Sequence, residues 1–146
     1  MDVDIKVKPV TTQSELDEAF HIRTEVFVKE QGVALEVEMD EYDESCDHIL
    51  VYCNGQSVGT GRLRDVEGVA KLERICILPT HRQYGLGRTI VQALEKIAKD
   101  KGFVKAKLHG QTHAERFYEK VGYTKASEVF MEEGIPHVLM LKDLSY

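Results

Sequence analysis

The chain opens on an alternating pattern in which Ile5, Val7 and Val10 are separated by lysines, and this predicts a first strand ended by Pro9 and the threonines after it. Thr12-Gln13-Ser14-Glu15 has the spacing of a capping box and marks a helix start. Leu16, Ala19, Phe20, Arg23 and Phe27 follow at helical offsets, giving one mostly apolar stripe, and Gly32 ends that helix. Residues 48–53 then read as a strand, and Asn54-Gly55 as a hairpin turn, because both positions tolerate positive φ. Residues 57–64 and 70–77 complete a meander, with a turn at Asp65-Val66-Glu67-Gly68 and a stop at Pro79. Strict alternation along the last of these strands predicts Lys71, Glu73, Ile75 and Ile77 on one face and Leu72, Arg74 and Cys76 on the other.

Further on, Ile90, Val91, Leu94, Ile97 and Ala98 trace an amphipathic helix closing at Gly102. A short strand over 103–108, a short helix over 114–120 ended by Gly122, and strands over 123–130 and 137–141 complete the pattern. The final pair flanks Glu132-Glu133-Gly134-Ile135-Pro136. A strand–helix–strand crossover needs a parallel pair, whereas the meander is antiparallel. The expected class is therefore α+β in an α/β/α layering: a mixed, mostly antiparallel twisted sheet of about six or seven strands flanked by helices. No repeat, low-complexity tract or linker divides the chain, and 146 residues suit a single domain over 1–146.

Composition narrows the function classes. At 42% apolar and 30% charged the chain has ordinary globular usage. A net charge of −6 argues against nucleic acid or an anionic membrane as the main partner, since both require a basic footprint. No apolar run approaches the roughly 18 residues of a membrane span, and the acidic, alternating N-terminus is unlike a signal peptide. Cys46, Cys53 and Cys76 form neither a CxxC pair nor a disulfide framework, which points to a reducing compartment, and the cytoplasm is expected. Six scattered histidines lack zinc spacing, so no metal is expected. The acidic run Glu36-x-Glu38-x-Asp40-Glu41-x-Asp43-Glu44 reads either as a solvated loop or as the lining of a site for a cationic amine; it lacks the glycine of a calcium loop.

Arg82-x-x-Gly85-x-Gly87 lies between a strand and an amphipathic helix. Backbone amides converge at such a helix start, where orphan N–H groups and the macrodipole favour an anion. Arg82 and Arg88 flank the loop and offer charge-assisted hydrogen bonds to phosphate oxygens. On the loop alone, a plain strand-to-helix connection stays open. The GxxxxGK[ST] pattern is absent and the third glycine of the dinucleotide fingerprint is missing.

Taken together, these motifs resemble the GNAT superfamily of N-acetyltransferases over nearly the whole chain. Leu72-Glu73-Arg74-Ile75-Cys76-Ile77-Leu78-Pro79 followed by Arg82-Gln83-Tyr84-Gly85-Leu86-Gly87 is similar to the family's pantetheine strand and its [RQ]xxGx[GA] helix start. Gln111-Thr112-His113-Ala114-Glu115-Arg116-Phe117-Tyr118-Glu119-Lys120-Val121-Gly122-Tyr123 resembles a second family motif, with Gln111 where asparagine is usual. Val26-Phe27-Val28-Lys29-Glu30-Gln31, the Asp40…Asp43…His48 approach to the second strand, and Glu133-Gly134-Ile135-Pro136-His137 resemble the ElaA/YjcF-like subgroup.

The resemblance implies the acyl-CoA N-acyltransferase fold, acetyl-CoA as co-substrate, and direct attack of an amine on the thioester without a covalent enzyme intermediate. It implies cofactor contacts from Ile75, Cys76, Ile77, Arg82, Gln83, Tyr84, Gly85, Leu86, Gly87, Arg88, Gln111 and Tyr118. Tyr118 is the candidate proton donor to the leaving thiolate, against a reading as a core aromatic beside Phe117. Glu73 is the leading candidate base, acting through water, with Glu30, His109 and His113 as rivals. The oxyanion donor is expected to be a main-chain N–H on 75–77, with Cys76 a core cysteine. A non-catalytic acyl-CoA sensor and a nucleotide-binding protein are the competing readings. The acceptor is not named by any residue pattern, and edge strands leave a homodimer open.

Overall fold

In the computed structural model, which describes residues 3–145, the chain folds around an eight-stranded sheet. The strands are β1 (Ile5–Pro9), β2 (Asp47–Cys53), β3 (Gln56–Val66), β4 (Val69–Ile77), β5 (Lys105–Gln111), β6 (Thr124–Lys125), β7 (Phe130–Glu132) and β8 (Ile135–Asp143). Their spatial order is β1-β2-β3-β4-β5-β8-β6, with β7 also paired to β8. Every pairing is antiparallel except β4 with β5, which the crossover through α3 (Leu86–Asp100) makes parallel.

The capping box forms as its spacing predicts: the Glu15 amide donates to Thr12 Oγ1 and the Thr12 amide to Glu15 Oε1, starting α1 (Gln13–Arg23). The helix then widens into π winding over Thr24–Glu30, where the Gln31 amide reaches back five residues to the Val26 carbonyl. Two short helices follow elsewhere, α2 (Leu35–Glu38) and α4 (Glu115–Lys120).

One sheet face packs Ile49, Val51, Val58, Leu63 and Leu72 against Leu86, Ile90, Val91, Leu94 and Ala98 of α3. The opposite face packs Leu50 and Cys76 against Ala19 and Ile22 of α1 and Val26 beyond it. The close seat of α3 depends on Gly61, where a Cβ would meet Ile90 Cγ2 at 2.8 Å.

Two strand boundaries differ from the sequence expectation. The strand expected from 103 begins at Lys105, because α3 closes in a Schellman motif. Gly102 has φ +90°, and the Phe103 amide donates to the Ala98 carbonyl at 3.0 Å, so that amide is spent on the helix. The strand expected over 123–130 is broken into β6 and β7. Between them Ser127 Oγ accepts the Leu139 amide at 2.9 Å, replacing a backbone carbonyl of the ladder.

The largest departure is in β4. Arg62 of β3 faces Glu73 and Thr60 faces Cys76, so one residue too many lies on β4 opposite Gly61. Arg74, at φ +57°, takes up the excess. Expected alternation is thereby overturned: Leu72, Ile75 and Ile77 join the α3 side, whereas Glu73 and Cys76 turn towards α1.

A buried ion network fills the α1 side next to that bulge, and it overturns the reading of residues 36–44 as a solvated loop. Glu36, Glu41 and Glu44 face water, but Glu38 and Asp43 are buried. Arg23 and Arg62 are each 1% exposed. Arg23 donates to Glu38 Oε1 at 2.9 Å, to the Glu38 carbonyl at 2.6 Å and to Asp43 Oδ1 at 2.7 Å. Arg62 donates to Asp40 Oδ1, Asp40 Oδ2 and Asp43 Oδ1, each at 2.7 Å, and to Glu73 Oε1 at 3.0 Å. Arg74 closes the set on Glu38 at 3.1 Å and Asp40 at 3.2 Å.

Burial raises the Asp40 and Asp43 carboxyls, but hydrogen bonds and charge from Arg62 and Arg23 outweigh it and hold both below the usual carboxylate range. Glu38 goes the other way: burial pushes it up against the pull of Arg74 and Arg23. Removing one cation strands several buried carboxylates, so Arg62→Met is expected to destabilise the fold by about 3–5 kcal/mol, read from urea unfolding. The lowered carboxyls bind fewer protons folded than unfolded, so they stabilise the fold above about pH 4 and lose that contribution as pH falls. Unfolding free energy should therefore drop as pH falls below about 4 in the wild type, and more gently in Arg62→Met.

Candidate active site

The bulge bends β4 away from β5. The two strands pair only at Ala70–Ala106 and Lys71–Lys107, after which β4 stays with β3 and β5 stays with β8. A cleft of about 930 Å³ opens in the fork, lined from both walls and from the start of α3. The Leu78 amide donates to the Val58 carbonyl, so the ladder's alternation directs Ile77 away from β3. The Ile77 carbonyl faces the gap and accepts Arg82 Nε at 3.1 Å. Cys76 turns its amide to β3 and its side chain to α1; burial, with nearby Glu38 adding to it, pushes its thiol far up. It is a core cysteine, as its sequence setting suggests.

At the mouth of the fork, a 3₁₀ turn over Pro79–Tyr84 leads to Gly85, whose φ of +71° lets the chain enter α3. No side chain caps this helix start, so the amides after Gly85 are open to an anion. Gly87 is needed for packing: a Cβ there would lie 3.0 Å from the Phe117 ring of α4. Arg88 lines the cleft and makes no hydrogen bond or ion pair among the described residues. Arg82 does not stand free: its guanidinium grips Glu30, with Nη1 on Oε2 at 2.7 Å, which draws the Glu30 carboxyl below its usual range. Gln83 and Tyr84 sit on the 3₁₀ turn and do not line the cleft, whereas Gly85, Leu86 and Gly87 do.

Tyr118 projects from α4 into the fork, its ring against Gly110 of β5 and edge-on to Phe117 at 5.0 Å. Its hydroxyl makes no hydrogen bond among the described residues. Burial, with Cys76 adding to it, pushes the phenol up to about 12, so it carries its proton throughout the neutral range. Gln111, at the end of β5, donates to Gln31 Oε1 at 2.9 Å across the cleft.

Glu73, the nominated base, is held by cations. Its carboxylate accepts from Arg62 at 3.0 Å, from Arg64 at 3.0 Å and from Lys71 at 3.0 Å. Burial alone would raise this carboxyl, but these partners bring it down to about 2. A carboxylate with so little affinity for a proton is poorly suited to collect one from an amine, and its place is in the ion network.

His109, one of the rival bases, belongs to a cluster whose other members the sequence did not point to. His109 of β5 shares Glu132 of β7 with His137 of β8: Nδ1 of His109 lies 2.8 Å from Glu132 Oε1, and Nε2 of His137 lies 3.7 Å from Oε2. Phe130 packs against both rings. No spacing could reveal this group, since His109 and Glu132 stand 23 residues apart and meet only through β8. His113 also lines the cleft, from the 3₁₀ turn Thr112–Ala114.

Comparison with known proteins agrees with this architecture. The acetyltransferase (GNAT) domain family matches residues 8–144. The protein YyaT of Bacillus subtilis is 55% identical over 97% of each chain. The N-acetyltransferase YjcF of the same organism is 48% identical over 90% of this chain and 94% of its own. Among solved structures, an acyl-CoA N-acyltransferase from Pseudomonas aeruginosa superposes with a TM-score of 0.83 at 29% identity, covering 97% of this chain and 99% of that one. Escherichia coli ElaA also superposes at 0.83, over 95% of this chain and 99% of its own; at 23% identity it speaks for the fold alone. With a family match over nearly its whole length and relatives at about half identity, this chain belongs to the GNAT family and is an acetyltransferase.

Proposed function

We propose that the chain transfers the acetyl group of acetyl-CoA directly to a primary amine, with cofactor and acceptor meeting in the fork between β4 and β5. The observation that carries this reading is the Tyr118 hydroxyl, protonated and without a partner among the described residues, inside a cleft whose mouth is the start of α3. The pantetheine arm would hydrogen-bond along the exposed edge of β4, at Ile77 and its neighbour Ile75. The pyrophosphate would rest on the amides of Leu86, Gly87 and Arg88, with the Arg88 guanidinium beside them. Arg82 would join only by loosening its hold on Glu30. Gln111 would meet the acyl end of the arm from β5. As the C–S bond breaks, Tyr118 would donate its hydrogen to the thiolate sulfur.

Electrostatics and redox state support a cytoplasmic setting without nucleic acid. The chain carries a net charge of −6, and its three cysteines are unpaired, two of them in the core. No helix among the described residues is long and apolar enough to cross a membrane. Lys6, Lys8 and Pro9 on the outer strand β1 work against an edge-to-edge homodimer.

Thermal melting tests the cofactor site: acetyl-CoA at about a hundred times its Kd should stabilise the fold by about 2.7 kcal/mol, and ATP should not. Arg88→Gln should weaken acetyl-CoA about tenfold, or about 1.4 kcal/mol, by titration calorimetry. A wild-type protein with no melting shift at saturating acetyl-CoA would end the transferase reading. Tyr118→Phe should keep cofactor affinity while thiol release with an accepted amine falls about 100- to 10,000-fold in kcat. An unchanged kcat would remove Tyr118 from the chemistry.

A further inference from the structure

We propose that His109, oriented by Glu132, is the general base that takes the proton from the acceptor amine. The proposal rests on the acetyl-transfer reading above and assigns the step for which Glu73 is poorly suited.

The geometry fixes which nitrogen is available. His109 Nδ1 lies 2.8 Å from Glu132 Oε1. Glu132 is held below its usual range first by that hydrogen bond, against burial, so it is an acceptor-only carboxylate at neutral pH. In the neutral imidazole, the form able to act as a base, Nδ1 therefore carries the hydrogen and Nε2 keeps a lone pair. Nε2 makes no hydrogen bond among the described residues, and the ring lines the cleft. Phe130 meets the imidazole edge-on at 5.1 Å and limits its rotation. His137 differs: its Nδ1 is taken by the Ile135 carbonyl at 2.7 Å, and its ring is buried. Glu132 from β7 touches His109 directly, His137 from β8 and Lys71 from β4 act on that same carboxylate, and Glu73 from β4 and Glu133 after β7 line the same cleft. No group of three potential metal ligands is gathered among the described residues, and His109 spends Nδ1 on a hydrogen bond.

Placement matters as much as tautomer. On β5, Leu108 and Gly110 turn to the α3 and α4 side, so His109 and Gln111 turn to the other, where Gln31 and Glu73 lie. Tyr118 reaches the fork from the α4 side. Base and acid thus enter the same cleft from opposite sides of the split.

The step balances. An ammonium R–NH₃⁺ gives one proton to His109 Nε2, and the neutral amine attacks the thioester carbon. A C–N bond forms, the C–S bond breaks as Tyr118 gives its proton to the sulfur, and the nitrogen's second proton passes through water to restore the phenol. The imidazolium returns its own proton to water. The products are the N-acetyl amine, free coenzyme A thiol and one proton.

The test compares full-length wild type with His109→Asn, which retains a donor near the Nδ1 position and deletes Nε2, and with Glu132→Gln. Benzylamine and spermidine serve as probe acceptors in a thiol-release assay across pH, alongside melting with acetyl-CoA. The expected result is an acetyl-CoA melting shift equal in all three proteins. In His109→Asn, kcat should fall about 100- to 10,000-fold and the acidic limb of the pH profile should disappear. Glu132→Gln should lose less, and in kcat rather than KM. A normal melting shift with wild-type rate and limb in His109→Asn overturns the base assignment and leaves the transferase reading standing. Absence of the melting shift in wild type overturns the transferase reading itself and this proposal with it. Should wild type bind acetyl-CoA and turn over neither probe, long-range ¹H–¹⁵N spectra of its histidines decide: an Nδ1–H tautomer at His109 with a titrating Nε2 supports the proposal, and an Nε2–H tautomer overturns it.

Discussion

β4 carries one residue more than β3 can match opposite Gly61, and most of the molecule's working geometry follows from that excess. The extra residue changes the parity of the strand, so Leu72, Ile75 and Ile77 can all serve the α3 core while Glu73 and Cys76 serve the α1 side. It also bends the strand off β5 after two paired residues, and a sheet that would otherwise be continuous acquires a cleft. Left-handed backbone at a residue with a Cβ costs on the order of 1–2 kcal/mol. Here the bonds from the Arg74 guanidinium to Glu38 and Asp40 offset it. The ion network and the fork are thus two faces of one local irregularity.

The fork divides the chemistry by side. A dipole end lies where α3 begins, with Arg88, which has no partner among the described residues, beside it, an arrangement suited to anions. The sheet surface bearing Glu73, His109, Glu132 and His137 lies on the other side, amid Arg62, Arg64 and Lys71. Charges of both signs are balanced there by mutual hydrogen bonding, which leaves few groups with spare proton affinity. Among the described residues, His109 Nε2 on that surface and the Tyr118 hydroxyl on the α4 side make no hydrogen bond.

Local patterns made much of this legible in advance. Thr12 and Glu15 announced a helix start, Asn54-Gly55 a hairpin, and the stripe from Ile90 to Ala98 a core helix, because each depends on neighbours within a few residues. The glycine loop and Tyr118 were legible through their motifs, and both line the cleft. What escaped was set by distant partners. Alternation could not foresee the bulge, since the need for it lies on β3 at Gly61. Charge counting could not tell Glu38 and Asp43 from Glu36 and Glu44, because the arginines that draw the first pair inward come from α1 and β3. Glu73 stood out as an acid on the right strand, and only the assembled sheet shows how many cations claim it.

The π winding after α1 gives the site a means of evolving. Residues 24–30 hold a wider turn than an α-helix needs, and the segment ends at Glu30 and Gln31, which reach Arg82 on one wall and Gln111 on the other. Deleting one residue within it would return the stretch to α winding, the loss being taken up by the tighter turn, so that the residues on either side keep their orientation. Glu30 and Gln31 would keep their holds on Arg82 and Gln111, and α1, the sheet and the glycine loop would keep their places. The wide turn is thus a place where one residue can be gained or lost, and the side chains beside Val26 and Phe27 on the cleft wall renewed, while both ends of the segment stay anchored.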